Sequence, residues 1–156
     1  MNTHKPFRPF QIRWAERMGD QKDPYLIRWM FIFFNYSIRI HHWIRSDDKR
    51  FFHDHSSDLI SIIIRGYYYN VIPDDPNDPF PDTSKCRKIK AKAWRPWFAK
   101  AKSLHYLEIP QQGAWTLLLE GRPYNKWGFI VNGSKWRPLR YFHKFKVTSS
   151  AYNIQE

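Results

Sequence analysis

Residues 51–70 read FFHDHSSDLISIIIRGYYYN and join a polar, histidine-containing cluster to an apolar run. The run from residue 59 to 70 contains five Ile or Leu residues and three tyrosines, which favour an extended strand. His53 and His55 are two residues apart, so on an extended backbone their side chains project to the same face. The stretch therefore predicts a strand that is preceded by a pair of imidazoles pointing the same way.

The sequence on either side of this stretch also favours strands. Residues 36–44 alternate, with Ile38, Ile40 and His42 on one face, and the loop at 73–81 is rich in proline and aspartate. Short strands separated by frequent turn residues are typical of an all-β sandwich or barrel. The further strands predicted in this way are 26–34, 88–94, 103–109, 114–120, 127–131 and 141–147.

The first 24 residues have a different pattern. Phe10, Trp14 and Met18 are four apart, which predicts a short helix within residues 8–18. We therefore expect an N-terminal extension with a short helix over residues 1–24, a β-barrel over 25–148 and a C-terminal tail over 149–156.

Composition limits the class of protein. The chain has 156 residues, which suits one domain, and 26 Lys and Arg against 14 Asp and Glu give a formal charge of +12. Its single cysteine excludes an internal disulfide framework. The absence of a long apolar run and of a leader-like segment predicts a cytoplasmic protein that has no membrane partner.

The basic charge and the 19% aromatic content allow two interpretations of the protein surface. Lysine and arginine with interleaved aromatics can bind nucleic acid or another anion, and they can equally form a solvated face. Motifs for dinucleotide binding (GxGxxG), for a P-loop and for the nucleophile of α/β-hydrolases are absent from the sequence, so those classes are disfavoured.

The histidines are the best candidates for chemistry. His53 and His55 share a face, and His105 shares one with apolar residues in a separate predicted strand. Imidazole binds Fe(II), Mn(II), Zn(II) and Ni(II), so these three side chains predict a site for one divalent metal. Asp58 is a candidate fourth ligand, or alternatively a group that orients His53 or His55.

The motifs resemble those of the cupin superfamily. His53-Asp54-His55, then Asp58 and Gly66, resemble its first motif, although the family has Glu where Asp58 stands; Pro96 followed by His105 resembles the second. More narrowly, the chain looks like small cupin-like proteins of bacteria and their phages. The resemblance implies a double-stranded β-helix barrel with one metal, dioxygenase or isomerase/lyase activity, and a homodimer.

Two further residues are candidates for catalytic roles. His42 is expected to point into the barrel as a general base, and Arg65 is expected to clamp a carboxylate or phosphate. The predicted function is a metal-dependent enzyme that acts on an anionic small molecule or nucleotide. The alternative is a non-enzymatic module that binds nucleic acid or a nucleotide signal through its basic, aromatic surface.

Overall fold

The computed structural model describes residues 9–19, 22–46 and 51–137, and these residues form strands and loops without a helix. The predicted all-β class is confirmed. The predicted strand at 141–147 and the tail at 149–156 lie outside the described residues. The ten strands are β1 (Phe10–Gly19), β2 (Pro24–Phe33), β3 (Tyr36–Trp43), β4 (Leu59–Pro73), β5 (Cys86–Lys92), β6 (Pro96–Ala99), β7 (Tyr106–Glu108), β8 (Ala114–Glu120), β9 (Phe129–Val131) and β10 (Ser134–Trp136).

The long strand β4 organises the barrel. The strand order is β1-β2-β3-β8-β4-β5, with every pair antiparallel; β6 pairs with the first half of β4 and β7 with the second. The register shifts between Ile63 and Arg65, next to Gly66 at φ +82°. A Cβ on Gly66 would lie 2.8 Å from the carbonyl oxygen of Gly113. The bulge and the glycine therefore let one strand bend and serve two layers of sheet.

The predicted N-terminal helix is wrong, because residues 10–19 form strand β1 along β2. The spacing of four between Phe10 and Trp14 is also two periods of a strand, so both side chains share its exposed face. A one-residue bulge at Ala15 (φ 49°) then reverses the faces. Met18 is consequently buried at 1% exposure, against 80% for Trp14.

Strand β3 presents its polar residues to the barrel interior. Ser37 and His41 are 7% and 6% exposed, whereas Ile38 and Ile40 are 50% and 39% exposed. The expectation that the isoleucine face of this strand turns inward is therefore reversed. The neighbouring strands supply the polar partners that make this possible, such as Glu120 on β8, which pairs with Arg39.

The outward face of the same strands is apolar. Phe10 on β1 faces Phe33 on β2, and Ile38 on β3 faces Phe31 on β2 and Leu119 on β8. We call this apolar surface the outer apolar face; its exposed members are Phe10, Ile12, Phe31, Phe33, Ile38, Ile40, Phe98 and Leu119.

No helix in the described part of the chain is long and apolar enough to cross a membrane.

Candidate metal centre

Three histidines from distant parts of the sequence meet inside the fold. The backbones of His53 and His105 exchange hydrogen bonds, with N···O distances of 2.9 and 3.0 Å. His55, one position beyond Asp54, is on the same face as His53, and its Nε2 lies 2.8 Å from Nε2 of His105. One ring nitrogen of each histidine lies within 4.8 Å of the others. We call His53, His55 and His105 the histidine cluster.

A buried amide sets the orientation of one member of the histidine cluster. His105 Nδ1 lies 2.6 Å from Oδ1 of Asn70, a residue of β4 that is 2% exposed. With the amide oxygen as acceptor, Nδ1–H of His105 donates and its Nε2 carries the lone pair. This lone pair points towards His55, where a metal ligand would be needed.

The histidine cluster is neutral at ordinary pH. Burial lowers the pKa of His53 to about 3, with a further contribution from His55. Burial, followed by repulsion from the neighbouring imidazole, also holds the pKa values of His55 and His105 well below 6.5. Neutral imidazoles present lone pairs, so the three residues fit a divalent metal that accepts nitrogen ligands.

Comparisons with known proteins find matches among solved structures only. Neither a family model nor a curated protein sequence matches this chain. Solved structures that resemble it include a cupin-2 domain protein from Shewanella frigidimarina, with 13% identity, TM-score 0.43, and 56% of this chain and 72% of that one covered. A cupin superfamily protein from Desulfitobacterium hafniense has 11% identity, TM-score 0.44, and 62% and 77% coverage.

A further match is to Fe(II)-HppE crystallised with the alternative substrate (S)-1-HPP. Its TM-score is 0.51 at 8% identity, and the match covers 78% of this chain and 62% of that one, so the present chain spans less than two thirds of HppE. The chain has a cupin-like fold. At 8% identity, the match to HppE shows the fold alone and does not assign site residues to this chain.

Asp54 lies between His53 and His55 in the sequence and holds this segment in place from the opposite face. It is 3% exposed and points away from the two histidines, as strand alternation predicts. Its carboxylate accepts hydrogen bonds from Gly128 N (2.8 Å) and Asn125 Nδ2 (2.7 Å), and it also pairs with Lys135. This carboxylate therefore links the segment that carries His53 and His55 to the hairpin formed by β9 and β10.

Asp58 lies outside the histidine cluster. Its carboxylate accepts hydrogen bonds from Tyr124 Oη (2.5 Å), Ala101 N (2.8 Å) and Lys100 Nζ (3.1 Å). These bonds, that of Tyr124 foremost, lower its pKa to about 2. Asp58 therefore holds two loops together. It lies neither among the three residues of the histidine cluster nor in a position to orient one of them.

The two residues expected to be catalytic also lie away from the histidine cluster. His42 is on the outward face of β3, where its ring stacks on Trp115 at 4.2 Å and an interplanar angle of 10°. Arg65 is exposed and pairs in register with the same Trp115, because the bulge after Ile63 reverses the faces of β4. Neither side chain is directed into the barrel.

Sequence reasoning missed the polar residues with which β3 lines the interior. Arg39 is 20% exposed at its side chain and His41 is 6% exposed, and both face inward from β3. The signal was present as the alternation of Ser37, Arg39 and His41 with isoleucines. It was assigned to the wrong face because apolar residues usually line a core.

Proposed function

We propose that the chain is a metal-dependent enzyme of cupin fold, dioxygenase-like or an isomerase or lyase, that acts on an anionic small molecule or nucleotide. The observation that carries the proposal is the histidine cluster, with three neutral ring nitrogens within 4.8 Å of one another. His53, His55 and His105 would hold one divalent ion, with Fe(II) favoured and Mn(II), Zn(II) or Ni(II) also suited to imidazole. When bound, such an ion supplies Lewis-acid, water-activating or O₂ chemistry.

The protein's own residues prepare this site. Burial keeps the imidazoles unprotonated, so a metal does not compete with protons at neutral pH. Asn70 holds the tautomer of His105 that leaves Nε2 available. The formal charge of +12 favours the approach of anionic substrates. HppE, whose structure resembles that of this chain, was crystallised with Fe(II) and a substrate, which is consistent with catalysis at such a site.

The first experiment measures metal in the purified full-length protein by mass spectrometry. We expect about one ion per chain in the wild type and near-complete loss in His53→Ala and His105→Ala. His42→Ala is the matched control, because His42 is an imidazole on the outer face, and it should retain its metal. Full retention of metal in both cluster variants would overturn the site.

A second experiment tests turnover. The metal-loaded wild type and His53→Ala are incubated in air with a mixture of carboxylates, sugar phosphates and nucleotides. Depletion of one compound by the wild type alone supports an enzyme. Metal binding without depletion of any anion under air or nitrogen argues for a binding protein instead.

A basic, aromatic surface on β5 favours the alternative function, binding of nucleic acid. Lys90 Nζ lies 3.9 Å above the ring of Tyr67, and Lys88 Nζ lies 5.1 Å above that of Tyr69. Both lysines are exposed, and exposed cations beside aromatic rings suit phosphates and stacked bases. Binding of single-stranded DNA should then weaken with salt, with a log–log slope of about −0.7 per phosphate contacted. No binding at low salt would remove this candidate.

A further inference from the structure

His41 is a buried imidazole without a hydrogen-bond partner. It is 6% exposed, and within the described ranges neither Nδ1 nor Nε2 has a donor or acceptor in reach. Buried polar groups in folded proteins are nearly always hydrogen-bonded, since an unpaired one costs stability. The exception at His41 therefore calls for an explanation.

The polar neighbours of His41 form hydrogen bonds with other residues. Thr116 lies opposite it on β8, but Oγ1 of Thr116 accepts a hydrogen bond from Trp43 Nε1 at 3.3 Å. Arg28 lies opposite it on β2, but Nε of Arg28 donates to Glu16 at 2.7 Å. The ring of His41 meets Trp43 only edge to face, at 5.6 Å between centroids. Within the described residues its two nitrogens thus have no hydrogen-bond partner.

A fixed cation stands beside this imidazole. Arg39, two residues before His41 on the same face, pairs with Glu120 and donates from Nε to Ser37 Oγ at 3.0 Å. These contacts hold its guanidinium inside the barrel, where burial lowers its pKa. The charged groups that act on Arg39 are those of Glu120, Arg28, Arg13 and Glu16.

Arginines outnumber glutamates among the groups that interact with Arg39. Together with Arg39 itself, they are three arginines and two glutamates. The region around Arg39 and His41 is coupled electrostatically to the histidine cluster. After burial, Arg39, Arg28 and His55 lower the pKa of His41, and Arg39 contributes to lowering that of His55.

We propose that Arg39 and His41 form a binding position for an oxyanion, the carboxylate or phosphate group of the substrate, inside the barrel beside the histidine cluster. This inference rests on the proposed function, because it assigns a chemical class to the molecule that the metal centre would act on. Arg39 supplies the fixed positive charge, and the neutral ring of His41 supplies one N–H donor. Such an anion accepts a hydrogen bond from the N–H of His41 and is attracted by the positive charge of Arg39.

The test uses the full-length protein, with metal removed by a chelator, and inorganic phosphate as the probe. Calorimetry measures phosphate affinity, and long-range nitrogen–proton NMR spectra report on the histidine rings. We expect phosphate to shift the ring signals of His41. His41→Leu, which fills the space without polar atoms, should weaken binding by about five- to tenfold. His42→Leu, the adjacent imidazole on the outer face, should change binding by less than about twofold.

A second substitution keeps the test valid if a single change at Arg39 prevents folding. The pair Arg39→Met and Glu120→Met removes both charges of the ion pair at similar volume, which proteins often tolerate. We expect phosphate binding to be lost in this double variant. The melting temperature of His41→Leu should be equal to or higher than that of the wild type, because an unpaired polar group has been removed.

Several results would overturn the proposal. They are the absence of phosphate binding, equal affinity in His41→Leu and His42→Leu, and phosphate-induced shifts confined to signals outside the barrel interior. Metal content is measured separately on the same preparations before the chelator is added. Loss of phosphate binding with a full complement of metal contradicts only this inference, whereas loss of the metal site with phosphate binding intact contradicts only the proposed function.

Discussion

Four neutral imidazoles inside the barrel should make the metal-free protein sensitive to mild acid. The pKa values of His41, His53, His55 and His105 all lie below the ordinary value of 6.5, chiefly because of burial. The unfolded chain therefore binds more protons than the folded one at pH values below 6.5. Their contribution to stability is complete above pH 6.5 and is lost as the pH falls towards the folded values, which for His53 is about 3.

The size of the effect follows from linkage. At one pH unit below the unfolded pKa, each histidine that stays neutral in the folded state lowers the free energy of unfolding by about 1.4 kcal/mol. Four such residues give roughly 5–6 kcal/mol at pH 5.5, which is comparable with the whole stability of many domains. Asp58 does not contribute in this range, because its pKa falls from 3.8 to about 2 and its loss of stability begins only near pH 4.

Urea unfolding followed by tryptophan fluorescence measures this difference, since the chain has eight tryptophans. Between about pH 7.5 and 5.5, in the presence of a chelator, the urea midpoint should fall by roughly 2–4 M. His41→Leu should reduce the pH-dependent loss by about a quarter, and His42→Leu should reduce it far less. A total loss below about 1.4 kcal/mol, the value for one histidine, would refute the reasoning.

Three other predictions concern the support of the site and its outer surface. Asn70→Leu leaves Nδ1–H of His105 without its acceptor, so Zn(II) affinity measured by chelator competition should fall by about 10–100-fold while the circular dichroism spectrum is unchanged. Asp54→Ala removes a buried carboxylate and leaves Lys135 unpaired, so the free energy of unfolding in urea should fall by about 3–5 kcal/mol. The outer apolar face offers eight side chains of roughly 100 Å² each, about the 800 Å² per partner of a stable interface. Light scattering should therefore find a homodimer in the wild type and a monomer in Ile40→Glu.

Each of these predictions has a clear opposing outcome. Unchanged Zn(II) affinity in Asn70→Leu would mean that His105 needs no orienting partner. A loss below about 1 kcal/mol in Asp54→Ala would mean that water replaces its hydrogen bonds without cost. A monomeric wild type at high concentration would mean that a second copy does not cover the outer apolar face.

Local periodicity was sufficient for much of the fold. The alternation of side chains along a strand places His53 and His55 together and Asp54 opposite, and this depends on neighbouring residues alone. Strand β10 (Ser134–Trp136) was not predicted, although Asn132 and Gly133, which connect it to β9 with positive φ, are typical residues of a hairpin turn. The same reasoning failed for β1, because a spacing of four fits either a helix or a strand.

The sequence by itself determined that the chain is an all-β protein with a pair of co-directed histidines and a third imidazole on another strand. Only the tertiary structure decided which face of each strand is inside. That choice depends on partners distant in sequence, such as Glu120 for Arg39, and on bulges that reverse the alternation before Arg65 and Met18. For this reason His41, rather than His42, is buried on the inward face of β3, and the carboxylate of Asp58 is held by Tyr124 and Ala101.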